Sequence, residues 1–147
     1  MKRERLAALL KDCRRAGIYS LAGSSRPAIR AAAEGAGLSC CEVSFDDATG
    51  VEPVLAAIGR DLRFPAWYGA NLDALKDCLT DLSWHPATGY VLLVVHAERL
   101  CAGNPAGWAM VNEVFAEAIA EWRERDVPMW VLHSADIDPL LARFPGA

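Results

Sequence analysis

The sequence predicts an α/β fold: a small three-stranded parallel sheet packed with helices, with a short N-terminal segment available as a fourth strand. Strand-like runs at residues 38–45, 90–95 and 129–132 alternate with segments of helical periodicity. The run Tyr90–Val95 (YVLLVV) is apolar without interruption, as in strands covered on both faces. The 147 residues, 53% of them hydrophobic, suit one globular domain with a substantial core.

Each element has its own signal. Leu6, Leu9, Leu10 and Cys13 recur at helical spacing, predicting a helix over residues 1 to about 16 that ends near Gly17. Ile18–Ala22 reads as a short strand, and the turn residues GSSRP precede an alanine-rich helix over residues 27–35. In Leu38–Phe45 (LSCCEVSF), Cys41, Val43 and Phe45 alternate, which marks the first core strand. Val51, Val54, Leu55, Ile58 and Leu62 make a helix that runs into a rigid loop from Phe64-Pro65 to Gly69. A second helix spans Asn71–Leu82, and a long amphipathic helix spans Pro105–Arg125, carrying Trp108, Val111, Phe115, Ala118 and Trp122. The strand Met129–Leu132 follows Val127-Pro128. This order divides the chain into an extension, residues 1–37, and a main domain, residues 38–147, packed as one unit, with right-handed crossovers.

The net charge of −4 is unevenly spread: residues 1–15 hold six Lys/Arg and two Asp/Glu, which leaves nine against seventeen in the remainder. An acidic body repels nucleic acid and attracts basic proteins, so direct nucleic-acid binding is not expected. The apolar run LAALL is too short for a signal-peptide core and no segment approaches membrane-spanning length, so the expected location is cytoplasmic. Five cysteines (Cys13, Cys40, Cys41, Cys78, Cys101) show no C-x-x-C spacing, so neither disulfides nor a metal site is expected. Cys78 with His85, or His96 with Cys101, are the candidate nucleophile or metal pairs. Cys78 falls on an apolar helix face and the histidines are scattered, so neither catalysis nor a cofactor is expected.

The Asn71–Leu82 helix carries the functional signal. Leu72, Leu75, Cys78, Leu79 and Leu82 fall on one arc, with Asp73, Lys76, Asp77, Thr80 and Asp81 opposite. Asp73, Asp77 and Asp81 are spaced four residues apart, where like charges destabilise a helix by roughly 0.2–0.5 kcal/mol per pair. Asp81 also lies near the helix end, where a carboxylate is unfavourable, so stability does not explain it. A second acidic ridge, Glu113, Glu117, Glu121 and Glu124, lies opposite the apolar stripe of the long helix, partly balanced by Arg123 and Arg125.

The segment FPAWYGANLDALKDCLTDL, Phe64–Leu82, resembles the F/L-P-x-x-Y-G-x-N-L/W-D-A-L-x-D-C-L segment of the barstar family, and looser similarity runs from about Leu38 to Ala135. The resemblance implies a barstar-like fold. It also implies an intracellular inhibitor that binds a basic, barnase-like microbial ribonuclease one to one, its carboxylates replacing substrate phosphates. On this resemblance Asp77 matches the carboxylate that enters the catalytic centre and Asp73 one at the rim. Trp67 and Tyr68 match an aromatic pair, the first stacking near a catalytic histidine, and Asn71 and Thr80 match polar contacts. Glu117, with Glu121 one turn on, matches an acid that faces a basic enzyme residue. Tyr68 serves equally as core, Asn71 as a helix cap and Glu117 as a solvated charge. Three positions depart from the family: Lys76 and Leu82 replace tryptophans and Asp81 a glycine. A lysine in the ridge repels a uniformly basic cleft, so the competing expectation is a barstar-fold immunity protein for a different basic protein or toxin.

Overall fold

The computed structural model describes residues 2–134 and 137–146. The elements run α1 (Lys2–Leu10), β1 (Ile18–Leu21), a 3-10 turn (Gly23–Ser25), α2 (Arg26–Gly35), β2 (Ser39–Ser44), α3 (Val51–Asp61), α4 (Leu72–Asp81), β3 (Tyr90–Val95), α5 (Glu98–Gly103), α6 (Pro105–Glu124) and β4 (Met129–Ser134). The strands form one parallel sheet in the order β1-β4-β3-β2. The fourth strand that the sequence allowed is therefore present.

Strand order explains the layering. From β1 the chain crosses to the far edge at β2, then returns through β3 to β4. Right-handed crossovers that reverse direction place their helices on opposite faces. Val91, Leu93, Trp130 and Leu132 pack with Leu6, Leu10, Ile29, Ala32 and Ala33 of α1 and α2. Tyr90, Leu92, Val94, Met129 and Val131 point the other way, into the layer of α3, α4 and α6. Every residue of β3 and β4 is buried, which accounts for the unbroken apolar run.

Residues before β2 are bonded into the sheet and into α6. The indole of Trp130 donates to Leu10 O at 2.9 Å, and Arg123 of α6 donates to Cys13 O at 3.2 Å and Ala16 O at 2.6 Å. The outer edge of β1 is covered by the C-terminal segment through Ser20 N to Ala142 O and Phe144 N to Ser20 O, both 2.9 Å.

Three details correct the sequence reading. The first helix ends at Leu10, not near Gly17, because the Asp12 carboxylate accepts from Arg14 N at 3.0 Å and turns the chain. The short helix α5 was not anticipated: six residues carry no readable period. The last strand runs two residues beyond Leu132, to Ser134, and so takes in His133, which is fully buried.

His133 Nε2 lies 2.7 Å from Asn112 Oδ1, and its Nδ1 is buried without a partner among the described residues. A proton on Nδ1 would be an unmatched buried charge, so burial depresses the imidazole to about 3. Below the ordinary histidine pKa of about 6.5 the unfolded chain binds a proton that the folded chain refuses. Stability contributed by the neutral ring is therefore complete above that value and declines as pH falls towards the folded value. Denaturant titration at pH 7 and pH 5 is expected to show a loss of about 2 kcal/mol from this residue, most of it absent in His133→Gln.

Candidate functional site

The surface built by α4 and the loop before it rests on an aromatic stack. Phe64 N donates to Gly59 O at 2.9 Å, closing α3, and Tyr68 N donates to Pro65 O at 3.0 Å, turning the loop. Phe64 meets Tyr68 edge-on at 4.8 Å and Trp84 at 5.9 Å, and Trp84 meets Trp67 at 6.4 Å. Trp67, at the outer end, is 60% exposed, an uncommon position for a large aromatic side chain.

Tyr68 is a support. Its hydroxyl donates to Leu55 O at 2.8 Å, and burial pushes the phenol up to about 12. A Cβ at Gly59 would sit 2.6 Å from the Tyr68 ring, so the absent side chain is what lets the loop close on α3. Gly59→Ala is expected to lower Tm by several degrees and to shift the Trp67 and Trp84 indole resonances.

Asn71 caps α4: its side chain accepts from Ala74 N at 2.8 Å. Arg63 and Ala70, near the two ends of the loop, and Leu82, just past α4, all have positive φ, at 55°, 50° and 49°. Each non-glycine residue there costs roughly 1 kcal/mol, which the aromatic stack and the α4 packing must offset.

At its other end α4 is held by α6. The Trp122 indole donates to Leu79 O at 2.7 Å, and Arg125, stacked on that indole at 4.6 Å, donates to Thr80 O at 2.8 Å. Both acceptors belong to the last turn, whose carbonyls have no helical partner. Arg125 thus places a cation at the helix end where Asp81 is unfavourable.

The exposed face carries the charges. Asp73, Asp77 and Asp81 are exposed, while Leu75, Cys78 and Leu79 are buried, as the helical wheel anticipates. Asp81 Oδ2 accepts from Ser83 at 3.3 Å. The carboxylates of Asp73 and Asp77 form no hydrogen bond or ion pair among the described residues. The Thr80 hydroxyl donates to Lys76 O at 2.8 Å, within its own helix.

Lys76 and Glu117 alter the surface expected from sequence. Lys76 Nζ lies 3.1 Å from Glu117 Oε2, both side chains are about half-exposed, and the hydrogen bond to Glu117 raises the lysine pKa. Lys76 is therefore neutralised from within the chain, and Glu117 is engaged rather than left facing outward. Exposed pairs of this kind contribute about 0–1 kcal/mol, so a docking cation can displace Lys76. Glu121 is only partly exposed, with one carboxylate oxygen buried and unpartnered among the described residues. The α6 ridge is thus not the fully solvated face that the wheel suggests.

The structure offers no support for the cysteine and histidine pairings. Cys78 is fully buried and its thiol is pushed up to about 11 by desolvation. His85 bonds Ser39, and Cys101 donates to Ile137 O at 3.5 Å. Among the described residues only Asp47, His96 and Glu98 have metal-ligand spacing, within 4.8 Å of one another, and all three are exposed.

No helix of the described residues is long and apolar enough to cross a membrane. A search of curated proteins finds no match to the chain. The family model described as Barstar (barnase inhibitor) matches residues 38–134, a span that takes in the whole sheet except β1, together with α3, α4 and α6. With the α4 motif, the parallel sheet and this match in agreement, the chain belongs to the barstar family.

Proposed function

We propose that this protein is an intracellular inhibitor of a basic microbial ribonuclease, binding it one to one and closing its RNA cleft with α4 and the 63–71 loop. It acts without catalysis, cofactor, membrane or nucleic-acid contact of its own. The observation that carries the reading is the pair of exposed carboxylates, Asp73 and Asp77, left unpaired on a helix fixed at both ends. Two acceptor oxygens and a negative charge reproduce what a phosphate offers to arginine, lysine and protonated histidine. A helix fixed in advance loses little entropy on docking.

Asp77 enters the catalytic centre, Asp73 meets the rim, and Trp67 supplies the exposed aromatic anchor. Asn71 and Tyr68 hold the surface in shape rather than contact the enzyme. Thr80, Asp81, Lys76, Glu117 and Glu121 border the contact. Pairing to Glu117 lessens the repulsion between Lys76 and a basic cleft, so the lysine does not count against a ribonuclease. The test is a titration of RNA cleavage by a panel of small basic ribonucleases. At least one enzyme is expected to be blocked at one equivalent, with affinity falling as salt rises. Capture of only non-nuclease basic proteins from the native cell would transfer the same surface to an immunity role.

A further inference from the structure

We propose that a second, unassigned site on this protein binds a small organic carboxylate with an aromatic or branched apolar body. Beneath α4, where β2, β3 and β4 begin, lies a cavity of about 290 Å³, at the lower end of the ~300–1,000 Å³ typical of small-molecule sites. Leu79 of α4 and Leu82 just past it, with Trp84, Tyr90, Leu92 and Met129, make its walls apolar. None of Asp73, Asp77 and Trp67 lines it; it adjoins the docking face at Arg63, where the 63–71 loop begins.

Its polar groups point to an anionic head. Ser39 Oγ and His85 Nε2 stand 2.7 Å apart in the lining, and His85 is held in place by the Tyr90 hydroxyl, which donates to His85 O at 2.8 Å. Two charged residues also line the cavity. Asp61 is already engaged, accepting from Ser44 N at 2.7 Å and pairing with Arg60 at 3.0 Å. Arg63 is exposed, and its guanidinium makes no ion pair or hydrogen bond among the described residues. Arg60 is shared between Asp61 and Asp46, so the lining carries no net charge, and Arg63 is its one charged group without a partner among the described residues, beside a Ser39–His85 pair of which one member can donate outward. A guanidinium takes a carboxylate through paired hydrogen bonds while the apolar walls take the body.

The full chain is titrated by calorimetry and ligand-observed NMR with phenylacetate, indole-3-acetate and uncharged indole. Both carboxylates are expected to saturate one site with a Kd of about 1 mM or tighter, and indole to bind about ten-fold more weakly. Arg63→Gln, at an exposed position, is expected to cost the carboxylates about ten-fold and leave indole unchanged. Cys41→Phe fills the cavity from edge strand β2 and should remove all binding; if it unfolds the chain, Arg63→Gln decides alone. No saturable binding to the wild type, or carboxylate binding indifferent to Arg63→Gln, overturns the proposal.

Discussion

Asp77→Ala is expected to weaken inhibition by about 2–5 kcal/mol, roughly thirty- to several-thousand-fold. That range is the one known for desolvated charge partners, the family's own archetypal enzyme–inhibitor pair among them. The loss arises mostly on the enzyme, whose buried cations are left without the carboxylate that replaced phosphate. The helix itself should be unaffected: the Asp77 carboxylate makes no hydrogen bond or ion pair among the described residues, and the face beneath it is already packed. Tm is therefore expected to move by no more than a degree or two while the inhibition constant rises. Asp81→Ala is the control. Its carboxylate is exposed and bonded to Ser83, and a rim charge of this kind contributes little. Equal and small losses for the two substitutions would remove Asp77 from the centre of the interface.

Removing residues 1–37 is expected to abolish cooperative folding, although the family match begins at residue 38. Val91, Leu93, Trp130 and Leu132 are each at most 1% exposed, and their face of the sheet is covered by α1 and α2. Burying side chains of this size contributes about 1.5–3 kcal/mol each, so four together rival the entire ~5–15 kcal/mol stability of a domain. The truncation also strips β1 from β4 and leaves the Trp130 indole and the Arg123 guanidinium without their acceptors. Near-UV circular dichroism and thermal melting of the 38–147 chain should show no native packing. A soluble, cooperatively melting fragment would mean that the first 37 residues are dispensable.

Legibility in the sequence followed the length of each pattern. The strands at 90–95 and 129–134 and the helix α6 are long and consistently apolar on their packed faces, and they emerged close to where the structure has them. The four-residue strand β1 could be read only as a possible fourth strand, the six-residue helix α5 is too short to impose a period, and α1 was overextended because Asp12 stops it through a side-chain turn. At the site, the exposed aspartates could be read from one helical wheel. The roles of Lys76, Trp122 and Arg125 could not, because each acts on a different element: Lys76 on Glu117, Trp122 on Leu79, Arg125 on Thr80. A wheel drawn for a single helix assigns such residues to solvent or to core. Tyr68 and Asn71, left open between contact and scaffold, each carry a scaffold bond in the structure, Tyr68 to Leu55 O and Asn71 from Ala74 N.

Whether carboxylates occupy the positions of phosphates is tested most directly by competition. A ribonuclease that this protein inhibits is saturated with a nucleoside monophosphate that fills its active site, and the protein is then titrated in. Its apparent Kd is expected to rise in proportion to nucleotide concentration, as mutually exclusive binding requires, and Asp77→Ala should blunt that dependence. A stable ternary complex, with an apparent Kd indifferent to nucleotide, would contradict the account.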